Sequence, residues 1–277
     1  GWLKRETAER FSRFARMMAA HFKGRVRHFI TLNEPQIVLK LGYCDGIHAP
    51  GRRYPLPRLV QCWKNLMLAH GLAFRAIRST APDAQIGIAS TGKLCYPHAP
   101  ADEEAARNET FRLSDADWMF THPITLDAAC FGRVEPEPGA LSALMRKISP
   151  EDWDIMHAIP DFIGVNSYNG SEITADADGW PVYLPRPKGF PCTALKWPVT
   201  PEIMEYGYAF LYERYQLPLY VTECGLSCND RIYLDGQVHD ADRIDFLHRY
   251  LLALRKGSER ADIRGFFHWS LTDNFEW

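Results

Sequence analysis

Five short segments of β-branched, aromatic and small apolar residues recur along the chain, and segments with a helical spacing of apolar residues separate them. Strands that are apolar on both faces are typical of a parallel sheet that is covered on both sides. Strands that alternate with helices predict an α/β fold, as either an open doubly wound sheet or a closed barrel. The predicted strands are residues 26–31, 85–90, 161–166, 219–222 and 263–269, and the predicted helices are 6–22, 57–77, 201–215 and 240–255.

Polar or aromatic side chains stand at the carboxyl ends of four predicted strands. No Gly-x-Gly-x-x-Gly and no phosphate-binding loop follows any strand, which disfavours nucleotide-binding folds. In a barrel, the side chains at these ends would converge on one mouth, where the active sites of that fold lie. They are Asn33, Glu34, Asn166, Tyr168, Glu223, Trp269 and Asp273. Three Pro-rich stretches, residues 97–100, 135–138 and 181–191, are predicted to be long loops over that mouth.

Composition and charge exclude several classes of function. The 32 basic and 34 acidic residues give a net charge of -2, which offers no electrostatic footprint for nucleic acid or an anionic membrane. No apolar run approaches the roughly 20 residues of a membrane span. The 7 cysteines are scattered without Cys-x-x-Cys spacing, so we predict free thiols rather than disulfides or a structural zinc site. We therefore expect no nucleic acid, no membrane, no metal and no other cofactor.

The start of the chain carries no charged segment followed by an apolar run, so it shows no secretion signal. Together with the predicted free thiols, this favours a cytoplasmic location. The chain begins at Gly1 and Trp2 without a methionine, however, which keeps a lost upstream segment as an alternative.

Two glutamates directly follow predicted strands. Glu34 lies in the segment TLNEP (residues 31–35) and Glu223 in the segment VTECG (residues 221–225). Two carboxyl groups at the ends of different strands suit glycoside hydrolysis, in which one protonates the leaving oxygen and the other attacks the anomeric carbon or activates water. A single such glutamate would more often cap a helix or pair with an arginine. The two glutamates together indicate glycoside hydrolysis.

At this point the sequence resembles glycoside hydrolase family 1, the β-glucosidase family. Four segments resemble family motifs and follow in family order, which makes the resemblance specific. They are residues 31–35 (TLNEP), 162–168 (FIGVNSY), 221–225 (VTECG) and 267–277 (FHWSLTDNFEW). Residues 235–245 also resemble the family segment between the nucleophile and the final strand. The resemblance implies a TIM (β/α)8 barrel and a retaining exo-β-glycosidase.

The resemblance also implies roles for residues at the reacting centre. Glu34 would be the general acid/base, and Asn33 would hydrogen-bond the 2-hydroxyl of the sugar. Glu223 would be the nucleophile. Tyr168 would orient its carboxylate and keep it ionised, and Asn166 would support the same wall.

Three further residues would bind the rest of the sugar. Trp269 would be the apolar platform under the ring, and Glu276 and Trp277 would take its outer hydroxyls. The carboxylate of Glu276 would accept hydrogen bonds from the 4- and 6-positions. A carboxylate there would repel a 6-phosphate, so the expected substrate ends in a neutral sugar: glucose, or a close relative such as galactose or fucose.

The sequence departs from the family pattern in detail and in extent. Cys224 replaces the usual Asn after the nucleophile, and Ser167 replaces the first Tyr of a pair. The five predicted strands correspond to strands four to eight of a barrel, so we expect a single, partial catalytic domain over residues 1–277. The first three family strands supply a Gln, an Arg and a His, and these are missing. A second chain or a longer precursor would have to complete the barrel.

Other interpretations stay open. The chain could be an inactive fragment, or a partial barrel that binds sugar without turnover. An open doubly wound binding protein is a more distant alternative. An endo-acting mannanase or glucanase would share the Asn-Glu-Pro sequence, but the Asn-Phe-Glu-Trp ending suits a blind exo pocket.

Overall fold

The structure, a computed structural model, describes residues 1–272 and residue 274. These residues form two compact units, which we call the first and the second unit. The first unit comprises residues 1–92 and 111–164, and the second comprises residues 93–110 and the chain from residue 165 onward. None of the described helices is long and apolar enough to cross a membrane.

The helices of the described residues alternate with the longer strands. They are α1 (Arg5–Phe22), α2 (Pro35–Ile37), α3 (Leu56–Thr80), α4 (Glu103–Phe111), α5 (Pro123–Phe131), α6 (Ala140–Met145), α7 (Pro150–Met156), α8 (Ile203–Tyr215) and α9 (Ala241–Gly257). A π-helix, Val38–Cys44, continues directly from α2.

The strands belong to two sheets. They are β1 (His28–Asn33), β2 (Gln85–Ser90), β3 (Cys95–Pro97), β4 (Phe162–Asn166), β5 (Ser171–Ala175), β6 (Pro181–Tyr183), β7 (Leu219–Cys224) and β8 (Ile263–His268). The main sheet has the order β1-β2-β4-β7-β8, and the pairs β1–β2 and β7–β8 are parallel. The sequence prediction of five main strands is confirmed, with every strand end within two residues of its expected position.

The second sheet was not predicted. It has the order β3-β5-β6, with β3 parallel to β5 and β5 antiparallel to β6. The prediction of a loop over residues 181–191 was therefore wrong for its first three residues, which form β6. Pro181 starts this strand, a position at which proline costs no ladder hydrogen bond.

Small residues form the core of the first unit where α1 packs on α3. This core comprises Ala15, Ala19, Ala73, Ile77, Ala81, Ala84 and Ile86, with Phe11, Phe29 and Phe74 packed against it. Alanines bring the two helices close together, and the aromatic rings fill the space at the edge. On another side of α3, a Cβ atom at Gly71 would lie 1.8 Å from the carbonyl oxygen of Ile155 in α7. Only glycine allows that approach.

A buried histidine fixes β1 to its surroundings within the first unit. His70 of α3 is fully buried, and its Nδ1 lies 2.7 Å from Oγ1 of Thr31 in β1. Its Nε2 lies 3.0 Å from the carbonyl oxygen of Ala158. Since a carbonyl only accepts, Nε2–H donates there, and Nδ1 of the neutral ring accepts from Thr31. The histidine thus holds the strand that leads to Glu34.

The burial of His70 predicts a pH-dependent stability. Burial lowers the pKa of His70 to about 4, from the 6.5 that an unperturbed histidine has. Between these two values the unfolded chain binds more protons than the folded one, so the free energy of unfolding falls as the pH falls. The contribution is complete above the unfolded pKa and is lost as the pH falls through the folded one.

In the complete protein we expect His70→Gln to make that decrease shallower, as measured by urea unfolding at steps between about pH 7.5 and about pH 4. Burial lowers the pKa of His122 to about 3, and this residue remains in the variant, so part of the slope should persist. A variant whose stability falls as steeply as that of the wild type would contradict the assignment to His70.

Candidate active site

The carboxylate of Glu223 lies near the end of β7 and receives a hydrogen bond from a neighbouring segment of the second unit. The hydroxyl of Tyr168 donates to Oε2 of Glu223 over 2.6 Å. The backbone N–H of Ser167 donates to the carbonyl oxygen of Glu223 over 2.8 Å. A short hydrogen bond to a carboxylate is among the stronger polar contacts in proteins, and it favours the ionised form. Glu223 is thus held through its side chain by Tyr168 and through its backbone by Ser167.

Asn166 and Thr222 make a second contact between the ends of β4 and β7. The hydroxyl of Thr222 donates to Oδ1 of Asn166 over 2.6 Å. Asn166 is buried, at 2% exposure. Because its Oδ1 accepts from Thr222, its amide NH2 group points to the other side of the side chain. The contact fixes the rotamer of Asn166 next to the segment that carries Tyr168.

The two residues that depart from the family motifs, Cys224 and Ser167, are both buried. Cys224 has 0% exposure, and burial raises the pKa of its thiol well above the usual range. The thiol therefore stays protonated and is a poor nucleophile. Oγ of Ser167 lies 2.8 Å from the hydroxyl of Tyr208, which itself lies 3.3 Å from the carbonyl oxygen of Val165. Both positions contribute to packing around β4 and β7.

The end of β8 lies against the segment that follows Glu223. The N–H of Trp269 donates to the carbonyl oxygen of Cys224 over 3.0 Å. A Cβ atom at Gly225 would lie 2.0 Å from the carbonyl oxygen of Trp269. Gly225 is therefore required for this close approach of two backbones. The side chain of Trp269 is 42% exposed, which leaves part of the ring accessible.

Glu34 is positioned through its backbone in the first unit. Its N–H donates to the carbonyl oxygen of Ala89 over 3.0 Å, at the end of β2. The pairing of β1 with β2 is irregular between Ile30 and Asn33, and Glu34 then adopts a left-handed conformation with φ 47° and ψ 57°. That conformation is uncommon for a residue other than glycine and costs about 1–2 kcal/mol. The chain turns sharply here and enters α2 directly.

A buried polar chain lies two residues beyond Glu34. Nε2 of Gln36 donates to Oγ of Ser90 over 2.7 Å, and that Oγ lies 2.9 Å from Nδ1 of His122. Nε2 of Gln36 also lies 3.3 Å from the carbonyl oxygen of Thr121. All of these residues are buried. The chain ties α2 to the end of β2 and to the start of α5, and so restrains the segment that carries Glu34.

The predicted site residues thus fall into three groups. Asn166, Tyr168, Glu223 and Trp269 belong to the second unit, and the first two approach β7 through the contacts given above. Asn33, which is exposed, and Glu34 belong to the first unit. Glu276 and Trp277, like Asp273, lie outside the described residues.

Sequence reasoning missed the residues that hold these segments in place. Three of them are buried: His70 bonds to Thr31 and Tyr250 to Tyr168, while His122 bonds to Ser90, the partner of Gln36. A single histidine or tyrosine on the apolar face of a helix gives no motif, since it is more often an ordinary core residue. Among the described residues, no cluster of three His, Cys, Asp or Glu could hold a metal ion.

The model of glycosyl hydrolase family 1 matches residues 1–277. β-Glucosidase A of Thermotoga maritima is 33% identical over the whole chain, which covers 61% of that protein. A bifunctional β-D-glucosidase/β-D-fucosidase of Bifidobacterium breve is 32% identical, and the chain covers 62% of it. A 6-phospho-β-galactosidase of Clostridium acetobutylicum is 27% identical, with 64% covered. The chain therefore spans about three fifths of the length of these relatives.

A solved structure agrees with the sequence comparison. The β-glucosidase from Thermotoga maritima in complex with noeuromycin has a TM-score of 0.82 and 30% identity to the chain, and the match covers all of this chain and 61% of that one. This likeness removes the open doubly wound alternative, since that structure has the barrel fold of the family. With a family model that matches from the first residue to the last, the chain belongs to glycosyl hydrolase family 1.

Proposed function

We propose that this chain is the larger part of a retaining exo-β-glycosidase that removes terminal β-D-glucosyl, galactosyl or fucosyl residues. The observation that carries the proposal is the 2.6 Å hydrogen bond from Tyr168 to Glu223, which orients a carboxylate and favours its ionised form. A nucleophilic carboxylate needs both properties. The relatives named β-glucosidase and β-glucosidase/β-fucosidase support the same class of substrate.

In the proposed mechanism, a carboxylate oxygen of Glu223 attacks the anomeric carbon while the bond from that carbon to the glycosidic oxygen breaks. Glu34 gives its proton to the leaving oxygen, so the first product departs as an alcohol. Glu34, now a carboxylate, takes a proton from water, and the water oxygen displaces Glu223 from the anomeric carbon. Two inversions give retention, which requires carboxyl groups about 5–5.5 Å apart.

The remaining residues would bind the sugar. Asn33 would hydrogen-bond the 2-hydroxyl, a contact that strengthens in the transition state. Asn166 would support the wall around the nucleophile, and the accessible part of the Trp269 ring would lie under the sugar. Glu276 and Trp277 would bind the outer hydroxyls. The mechanism uses no cofactor.

Exchange of either glutamate for glutamine separates the two roles. We expect Glu34→Gln in the complete protein to lower kcat/KM for an alkyl β-glucoside by about 10²–10⁴-fold, the range of general acid catalysis. Substrates with good leaving groups, such as dinitrophenyl glucoside, should lose much less, because their departure needs little protonation. Glu223→Gln should lower the rate on both substrates, since it removes the nucleophile.

Steady-state kinetics on the two substrates measures the difference. Glu259→Gln is the control, because it neutralises an exposed glutamate after α9. If Glu34→Gln and Glu223→Gln affect activated and unactivated glycosides equally, the division of roles is wrong.

A further prediction concerns the charge of the sugar that the site accepts. A carboxylate at Glu276 that faced the 6-position would be desolvated next to a 6-phosphate, which is costly for two like charges. We expect kcat/KM for an aryl β-glucoside to exceed that for its 6-phosphate by at least about tenfold, equivalent to about 1.4 kcal/mol. The same aryl group in both substrates keeps leaving-group chemistry constant. A preference for the phosphorylated substrate, as the name of the Clostridium relative would suggest for that protein, would refute the prediction.

Completion of the catalytic domain is also part of the proposal. A barrel of this family needs eight strands, and the main sheet of the described residues has five. The end strands carry accessible apolar side chains, with Ile30 of β1 at 43% exposure and Phe267 of β8 at 58%. Unpaired edges and exposed apolar surface oppose folding, at about 25 cal/mol per Å². We propose that further sequence or a second chain covers both edges, so that residues 1–277 contribute to one catalytic domain.

Gel filtration of the 277-residue chain, with β-glucosidase activity measured across the fractions, tests this. We expect the chain to elute as an associated or poorly folded species and to be nearly inactive on aryl β-glucosides. Addition of the further sequence or second chain that covers the two edges of the sheet should restore activity. A monomeric, cooperatively folded and fully active peak would refute the need for further strands.

A further inference from the structure

The hydroxyl of Tyr250 makes two hydrogen bonds in the second unit. Tyr250 lies on α9 and has 0% exposure. Its hydroxyl donates to the carbonyl oxygen of Tyr168 over 2.8 Å, since a carbonyl can only accept. The same hydroxyl accepts from the backbone N–H of Thr200 over 3.0 Å. One buried oxygen therefore holds two separate backbone segments, and its single proton is committed to Tyr168.

Thr200 extends these hydrogen bonds to the segment after Tyr168. Its Oγ1 accepts a hydrogen bond from the N–H of Gly170 over 2.9 Å. Tyr168 and Gly170 are thus fixed on either side of residue 169, one directly by Tyr250 and the other through Thr200. Residues 167–170 belong to no helix or strand, so they have no ladder of backbone hydrogen bonds to define their path. Tyr250 and Thr200 supply part of that definition, together with the bond of Ser167 to Glu223 and the bond of Arg186 to the carbonyl oxygen of Gly170.

The residue fixed in this way is the one that contacts Glu223. The backbone of Tyr168 is bonded to Tyr250, and its phenol donates to Oε2 of Glu223 over 2.6 Å. A shift of the Tyr168 backbone would move the phenol and lengthen that bond. Hydrogen-bond energy falls steeply with distance and angle, so a small displacement matters.

We propose that Tyr250 is a positioning residue for Glu223 and that it acts through Tyr168. The proposal rests on the function proposed above, in which Glu223 is the nucleophile. Without the Tyr250 hydroxyl, Tyr168 holds the carboxylate less firmly, and the carboxylate is less often aligned for attack on the anomeric carbon. Since the reaction rate depends strongly on such alignment, the glycosylation step slows while substrate binding changes little.

Tyr250→Phe tests the hydroxyl alone. The ring of Tyr250 is stacked on Phe246 with ring centroids 3.8 Å apart and an interplanar angle of 18°, and phenylalanine preserves that stack. In the complete protein we expect kcat for an aryl β-glucoside to fall about tenfold with KM within about twofold. The acidic limb of the pH profile should move to higher pH, because the donor that favours ionised Glu223 is weakened.

The matched control is Tyr96→Phe. Tyr96 is a buried tyrosine of β3 in the same unit, at 6% exposure. This variant loses a hydroxyl of the same chemistry and should keep the kcat and the pH profile of the wild type. Thermal unfolding of each variant measures any loss of stability separately from the loss of rate.

A double-mutant cycle with Tyr168→Phe identifies the route of action. If Tyr250 acts through the phenol of Tyr168, then Tyr250→Phe has little further effect on kcat once that phenol is gone. Effects that multiply in the double variant would overturn the proposal, as would a Tyr250→Phe enzyme with wild-type kcat and pH profile. If Tyr250→Phe does not fold, Tyr250→4-fluorophenylalanine replaces it in the cycle, since fluorine fills the place of the hydroxyl but cannot donate to the carbonyl oxygen of Tyr168, and the same criteria apply.

Failure of the proposed function has a different signature. Covalent labelling of the wild type by a 2-fluoro β-glucoside, located by peptide mass spectrometry, reports the nucleophile directly. A wild type that neither hydrolyses β-glycosides nor is labelled at Glu223 would refute the function itself. A wild type that is labelled at Glu223, beside a Tyr250→Phe variant labelled equally fast, would refute only the role of Tyr250.

Discussion

The hydrogen bond from Tyr168 to Glu223 depends on the path of an irregular segment, and most of the polar contacts of the second unit described above serve that path. Residues 167–170 leave β4 and belong to no helix or strand. Several of their backbone groups are bonded one by one, by the carbonyl oxygen of Glu223, by Tyr250, by Thr200 and by Arg186. Buried backbone groups need such partners whatever the function. Here the partners also determine where a phenol meets a carboxylate.

The main strands and long helices were predictable because their apolar residues follow a clear period or run. The elements that were missed lack that signal. β3 and β6 have three residues each, and β5 is only partly buried. α5 is buried along nearly its whole length, so it has no polar face to reveal a helical period. The packing of α5 against its surroundings, rather than a pattern in its own sequence, determines that this segment is a helix.

The site was predictable only as far as motifs reach. Resemblance to a family singled out Glu34, Tyr168 and Glu223, and Tyr168 and Glu223 lie within hydrogen-bond distance, while their roles remain predictions. The residues that hold the site in place lie elsewhere in the sequence; Tyr250, for example, follows Tyr168 by 82 residues. Such contacts join residues that are distant in sequence, and no local pattern encodes them. From the sequence alone, a buried tyrosine is interpreted as an ordinary core residue until the partner of its hydroxyl is known.

The two glutamates share one structural feature, a local interruption of the strand pairing. Both lie at irregularities in strand pairing, Glu34 after the break between Ile30 and Asn33 and Glu223 inside the break between Val221 and Cys224. Glu34 then adopts a left-handed backbone conformation, from which the chain turns into α2. Glu223 receives a hydrogen bond from the phenol of Tyr168. A general acid/base must gain and lose a proton in every turnover, whereas a nucleophile must stay ionised until it attacks. In the mechanism proposed above, the phenol of Tyr168 therefore serves the nucleophile at the point where it needs its charge.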